Sequence, residues 1–400
     1  MHVLIVSHSC ATALNQELHA RIQRETGWKI TLVVPDLWRD EFGNELRQPP
    51  CEGLESSVIR CAVWKNGSII FHVYRMRWHR FLRELKPDVI YMNHEPYALA
   101  TAQVCHANNR TIRVPFGFYS CQNINKKYPP PFSWLESMVY RSSNFAFPIT
   151  DSVANVLKAK GYEGRQTVCA LPLDPERYHP RLRQNPPERF PKSESPVIGY
   201  VGRLVEPKGL RTLATALGMI RDLDWRMVLV GTGDFQPEFE RLLTEQGVRD
   251  RIFFAGYVPH DETPRWLASM DMLVLPSETQ PNWEEQFGRV IPEAMACGTP
   301  VIGSDSGEIP HLIRRGEGGL VFTQRQPDEF AVALRQLITG PKLRRQLAEN
   351  GRHWVEHEIS LPAVAGKMIE AFETAVMKQD RGQVAAQMLL PKPSHALAQP

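Results

Sequence analysis

Residues 2–7 are an almost unbroken apolar run, 11–25 an amphipathic stretch, and 29–34 a second apolar run. Short continuous apolar runs suit strands buried on both faces. Strands that alternate with helices imply a parallel sheet. The pattern continues with a helix over 71–85. Its Trp78, Phe81, Leu82 and Leu85 fall at i, i+3, i+4 and i+7 and make one buried stripe. A strand over 88–92, a helix from Ser133 and a strand over 145–149 follow, and Asp151 and Ser152 are cap residues for the next helix. Over 173–196 periodicity lapses into proline and charge, which reads as a linker. A second alternation then opens, with strands at 197–201, 226–230, 252–255, 272–275 and 301–303 and a helix at 207–220. Helices over 327–338, 341–353 and 361–376 close the chain, and the aperiodic tail over 377–400 reads as mobile. The expected division is an N-terminal domain at 1–172, a linker at 173–196 and a C-terminal domain at 197–353.

Length supports that division, because 400 residues exceed one ordinary core. Hydrophobic content of 42% and charged content of 23% are ordinary globular values. A net charge of +3 makes no case for nucleic-acid binding. The seven cysteines are scattered and include no Cys-x-x-Cys, so reduced thiols of a cytoplasmic protein are expected. No apolar run is long enough to span a bilayer, and the N-terminus lacks the charged start of a signal peptide. Arg75, Arg77, Arg80 and Arg83 decorate the helix expected at 71–85. That makes peripheral contact with the inner face of an anionic membrane one reading of it, and a solvated polar face the other.

The stretch 281–302, PNWEEQFGRVIPEAMACGTPVI, carries two glutamates, Glu285 and Glu293, on either side of Gly288 and Pro292. Proline favours the first helical position, so the spelling predicts a glycine loop and then a short helix from Pro292 to Gly298. Glu285 then lies on the loop and Glu293 in the first turn. The field of a helix start favours an ionised carboxylate, and such an acceptor can take both hydroxyls of a ribose. An acidic first turn can equally serve helix stability alone.

Other candidates stand at strand ends. Gly202-Arg203-Leu204-Val205-Glu206-Pro207-Lys208-Gly209 places a planar guanidinium and a compact ammonium on either side of a tight loop. Together the two can clamp a diphosphate; singly, each reads as a surface cation. Gly231-Thr232-Gly233 is an incomplete dinucleotide fingerprint. Asn93-His94-Glu95-Pro96 follows a strand, where His94 is either a donor to a ligand or a satisfied structural group, and Glu95 is a weaker candidate. Asp222-Leu223-Asp224 reads as a solvated turn, and no essential metal is expected.

The Glu-x7-Glu block with Phe287-Gly288 inside it, followed by Glu-Ala-Met-Ala-Cys-Gly-Thr-Pro-Val from Glu293 to Val301, resembles the retaining glycosyltransferases of family 4. The resemblance implies a GT-B fold, an α/β architecture of two doubly wound Rossmann-like domains facing across a cleft, with the last helix packing back on the first. It implies a nucleotide-diphosphate sugar as donor, a sugar or lipid-linked hydroxyl as acceptor, and work in polysaccharide or glycolipid assembly. Arg203 and Lys208 would hold the diphosphate, Glu293 the ribose, and Glu285 with the Phe287-Gly288 backbone the sugar. Gly202, Gly231, Gly233 and Val258 would border the nucleotide. His94 is similar to a donor-side histidine of that family. The loop over 7–12 departs from the pattern, because it lacks the family's paired glycines. The rival readings are an NAD-dependent oxidoreductase, a sugar-nucleotide epimerase, and a non-catalytic nucleotide-binding GT-B protein.

Overall fold

A computed structural model describes residues 1–39 and 43–388, with side chains to 379 in the final helix. The chain divides into two compact units, Met1–Cys169 with Ala365 onward, and Ala170–Val364. Each is built on its own parallel sheet.

The first unit holds β1 (His2–Val6), β2 (Lys29–Pro35), β3 (Val58–Cys61), β4 (Val89–Met92), β5 (Phe116–Ser120), β6 (Phe145–Pro148) and β7 (Arg165–Gln166). They lie in the order β7-β6-β5-β4-β1-β2-β3. Helices α1 (Glu17–Thr26), α2 (Trp78–Leu85), α3 (Leu99–Arg110), α4 (Phe132–Ser142) and α5 (Asp151–Ala159) supply the crossovers. The second unit holds β8 (Val197–Val201), β9 (Arg226–Val230), β10 (Ile252–Gly256), β11 (Met272–Leu275), β12 (Val301–Ser304) and β13 (Gly319–Phe322), ordered β10-β9-β8-β11-β12-β13. Its helices are α6 (Leu210–Met219), α7 (Gln236–Glu245), α8 (Thr263–Ser269), α9 (Val290–Ala296), α10 (Ile309–Gly316), α11 (Pro327–Thr339) and α12 (Pro341–Trp354). In both sheets the strand order reverses once, between β1 and β4 and between β8 and β11. Loops at the carboxyl ends of strands flanking such a reversal diverge and leave room for a ligand.

Several boundaries differ from the sequence pattern, each for a local reason. Residues 9–16 form two short 3-10 turns, not the start of α1. The buried Gln16 side chain donates to the Cys10 carbonyl and accepts from the Cys51 amide, holding the backbone in that path. The helix expected at 71–85 begins at Trp78. Val73–Tyr74 instead pairs antiparallel with Val63–Trp64, and the Gln103 amide bridges the N–H and carbonyl of Tyr74. Arg75 and Arg77 therefore precede α2. Within it Trp78 and Leu82 are buried and Phe81 and Leu85 half-buried, so the apolar stripe faces the core.

Residues 173–196 are tied to the second unit: Leu173 bridges Ser360, and Arg183 pairs with Asp271 at 2.6 Å. The final helix, α13, runs Leu361–Met388 and does not stop near 376. Residues 377–388 are mostly Met, Lys, Gln, Ala and Arg, which favour helix even without an apolar period. The remainder of the expected mobile tail, 389–400, lies outside the described residues. In the first unit, Phe372 of α13 is fully buried, with ring centroids 5.6 and 5.7 Å from Phe145 and Phe147. Burial of such a ring stabilises by roughly 1.5–3 kcal/mol, enough to seat a helix end. All seven cysteines are free. Among the described residues no helix is long and apolar enough to cross a membrane.

Candidate functional site

In the second unit the loops after β8 and β11 gather the charged candidates. Lys208 stands at the end of the first loop and Glu285 on the second. Lys208 Nζ lies 2.5 Å from Glu285 Oε2, and the two side chains are only 14% and 13% exposed. Ser277 Oγ donates to the same carboxylate oxygen at 2.9 Å. The Lys208 ammonium also sits 5.2 Å from the Trp283 ring centroid, a favourable place for a cation. Arg203 projects from the same loop as an exposed side chain, and among the described residues it makes no ion pair. Its carbonyl accepts from the Tyr200 hydroxyl at 2.7 Å, which fixes the loop under it.

Backbone packing sets this loop. A Cβ on Gly231 would lie 1.9 Å from the Gly202 carbonyl oxygen, and one on Gly233 would lie 2.1 Å from that of Leu204. Only glycine lets the turn after β9 press so closely on the turn after β8. Leu204 N–H donates to Thr232 O at 2.9 Å, and Phe235 N–H to Leu204 O at 3.0 Å. Gly231-x-Gly233 thus shapes the Arg203 loop, and the oxidoreductase reading loses its motif. Beyond β10, Val258 is buried next to an exposed Tyr257.

The helix behind Glu285 differs from expectation. It starts at Val290, two residues before Pro292, and Glu293 still falls in its first turn. Phe287 is buried and Gly288 turns the chain at φ 66°, its carbonyl accepting from Ile291 N–H at 2.8 Å. The turn after β12 closes over this loop, with Glu308 N–H donating to Glu285 O at 3.0 Å. Glu293 is 4% exposed. Its Oε1 accepts from Arg289 Nε at 2.8 Å and from the Tyr178 hydroxyl at 3.2 Å. Burial raises the Glu293 carboxyl above its ordinary value, and Arg289 and Tyr178 only partly offset it. Desolvation of this buried group works against the expected field of the helix start. Ser277, Trp283, Arg289 and Tyr178 escaped the sequence reading. Only Arg289 left a signal there, at i−4 from Glu293.

His94 belongs to the first unit, where the loops after β1 and β4 meet. It is 1% exposed. Its Nδ1 lies 2.9 Å from His8 Nδ1 and its Nε2 lies 3.3 Å from the Tyr74 hydroxyl, so contact with a sugar would require it to release one partner. Burial lowers the His8 imidazole to about 3 and holds His72 and His94 below their ordinary values, leaving three neutral rings. Glu95 is a brace: it accepts from Ser120 Oγ at 2.8 Å and Cys121 N–H at 2.7 Å. Asp222 is taken by Arg335 at 2.7 Å and Asp224 by Ser195 at 2.6 Å.

Residues 183–354 match the family model described as glycosyl transferases group 1. That segment carries the pattern of the group 1 glycosyltransferases. Among curated relatives of this chain, the 2-deoxystreptamine glucosyltransferase of Streptomyces kanamyceticus is 28% identical over 62% of this chain and 65% of its own. The GDP-mannose-dependent alpha-(1-6)-phosphatidylinositol monomannoside mannosyltransferase of Mycobacterium tuberculosis is 32% identical over 50% of this chain and 53% of its own. The chain therefore spans between half and two thirds of the length of these two relatives. The Anabaena protein Alr3699/HepE, solved in complex with UDP, is 18% identical with a TM-score of 0.69, covering 94% of this chain and 100% of that one. The fold class is the GT-B type that these structures share, with two Rossmann-like α/β domains.

Proposed function

We propose that the protein transfers a sugar from a nucleotide-diphosphate sugar to a hydroxyl acceptor, with retention at the anomeric carbon, in glycolipid or polysaccharide assembly. The observation that carries this reading is the Lys208–Glu285 pair beside Arg203 at the strand-order reversal of the second sheet. A diphosphate draws Lys208 to itself and adds Arg203, and no bridging divalent ion is then needed. Glu285, released from the ammonium and still held by Ser277, accepts from sugar hydroxyls. Glu293 and the Phe287-Gly288 backbone complete the donor side, with Gly202, Gly231, Gly233 and Val258 around the nucleotide.

In the step itself the bond between the anomeric carbon and the diphosphate oxygen breaks, and a bond from that carbon to the acceptor oxygen forms on the same face. The acceptor proton passes to the departing diphosphate, whose charge Arg203 and Lys208 stabilise. The named relatives, one acting on 2-deoxystreptamine and one on a phosphatidylinositol mannoside, support a sugar or lipid-linked hydroxyl as acceptor. A peripheral place at an anionic membrane is supported by exposed Trp64, Ile69 and Phe71 beside Lys65. Calorimetric titration with UDP, GDP, ADP and NAD, with and without magnesium, tests the donor site. One nucleoside diphosphate binding equally in both conditions is the expected result, and binding of NAD alone would overturn it.

A further inference from the structure

Three histidines from three separate segments meet at the strand-order reversal of the first sheet. His8 follows β1, His94 follows β4, and His72 precedes the short strand Val73–Tyr74. One nitrogen from each lies within 4.8 Å of the other two. Trp38 packs against the group, its ring centroid 4.8 Å from that of His8 and 5.0 Å from that of His72.

The hydrogen bonds fix what each ring offers. His72 Nδ1 lies 2.8 Å from the Ser68 carbonyl oxygen, which only accepts, so Nδ1 carries the proton. Its Nε2 is then a bare lone pair, and that atom is buried with no partner. A fully buried imidazole with one nitrogen anchored on a backbone carbonyl and the other unpaired is the arrangement that histidine ligands of metals adopt. His94 has both nitrogens engaged: Nε2 faces the Tyr74 hydroxyl, and Nδ1 faces His8 Nδ1 at 2.9 Å. Two neutral imidazole nitrogens that face each other share one N–H between them, and a metal ion can take the place of that hydrogen. In a tetrahedral site with bonds near 2.05 Å, nitrogen ligands stand about 3.3 Å apart, a change of tenths of an ångström for this pair.

The geometry points to a binding site for one borderline divalent transition-metal ion of the zinc class, held by His8, His72 and His94. Three neutral nitrogens and no carboxylate disfavour calcium and magnesium and suit zinc, cobalt, nickel or copper. Three protein ligands leave the fourth position for water or an oxygen of a bound molecule. The ion would pin the loop after β1 to the loop after β4 and to the 68–72 segment. That loop is the one lacking the family's paired glycines, so the metal would take over the fixing of its path.

The full-length chain is stripped by dialysis against a chelator and titrated with Co2+, with visible absorption and calorimetry as readouts, and then with Zn2+ in competition. One equivalent with the intense visible bands of four-coordinate cobalt, displaced by zinc, is the expected result. His72→Ala should lose at least tenfold in affinity, because a bare ligand nitrogen is removed. His357→Ala serves as the surface control, since exposed His353 and His357 stand with ring centroids 4.1 Å apart. Loss of binding in His357→Ala with retention in His72→Ala would overturn the proposal. So would a wild-type chain that shows no four-coordinate band, a result that does not depend on any variant folding. Nucleotide titration of the same samples is read separately, so failure of the metal site leaves the donor-site reading intact.

Discussion

The two sheets reverse their strand order once each, and the loops at the two reversals are chemically opposite. In the second unit the loops after β8 and β11 carry the Arg203 guanidinium, the Lys208 ammonium and several carboxylates, with Lys208 and Glu285 paired at 2.5 Å. In the first unit neutral rings gather at the reversal, His8 and His94 from the loops after β1 and β4, with His72, Tyr74 and Trp38 packed against them. The same backbone topology thus makes one site suited to a diphosphate and another suited to a neutral or metal-bound ligand. Topology fixes where a ligand sits, and side-chain chemistry fixes which ligand.

The sharpest way to break this contrast is to remove the charge that defines the second site. Arg203→Ala and Lys208→Ala should each lower turnover about 10²–10³-fold, as removal of a group that meets developing charge does. Steady-state kinetics with the cognate donor would check this, and near-wild-type turnover in both variants would end the clamp assignment. Glu285→Gln comes next, with turnover lowered about tenfold to a hundredfold. Affinity for the nucleoside diphosphate should hold, because the carboxylate contacts the sugar and not the phosphates. Equal loss of diphosphate affinity would instead make Glu285 a positioning residue for Lys208.

The strands that were readable, β1, β2, β4, β6 and β8 to β12, are mostly continuous apolar runs buried in their sheets, whereas β3, β5, β7 and β13 were not read, and of these β3, β7 and β13 are largely half-buried. Arg203, Lys208, Glu285 and Glu293 were readable because each sits on a loop or helix whose glycines and prolines mark it. What was not readable is pairing at long range. Tyr178 reaches Glu293 across 115 residues of chain, and no local pattern announces that hydroxyl. His8 and His72 stood in stretches read as a bare loop and as part of a helix. The antiparallel pairing of Val73–Tyr74 that aims His72 inward depends on Gln103, 29 residues from Tyr74. The burial of Glu293 was missed for the same reason, since helix position is local and burial is not.

That burial yields a smaller and more specific test. The folded-state pKa of Glu293 is raised, chiefly by burial, so between the unfolded value and the folded value the native state binds the extra proton. Stability from this group is fully present below the unfolded value and is lost as pH rises through the folded one. Glu293→Gln removes that slope. Its melting temperature, measured against wild type from pH 4 upward, should therefore improve relative to wild type as pH rises. A difference that stays flat, or that grows more negative with pH, would show that folding does not raise this carboxyl.

The weakest expected effect concerns the rim of the first unit. The apolar stripe of α2 is spent on the core, so that helix has little left to give a bilayer. The apolar surface that remains is just outside it: Trp64 is 57% exposed, Phe71 46% and Trp134 68%. The Phe71 ring meets Phe132 at 5.4 Å, which joins the start of α4 to this patch. Lys65, Arg75 and Arg77 flank it in sequence. An exposed aromatic cluster edged by cations suits an anionic interface, where each basic residue contributes about 1 kcal/mol, or roughly fivefold in binding. Lys65→Glu and Trp64→Ala should each lower co-sedimentation with vesicles containing anionic lipid by about that factor, with turnover on a water-soluble acceptor unchanged. Equal sedimentation of wild type and both variants would return Arg75 and Arg77 to the role of a solvated polar face.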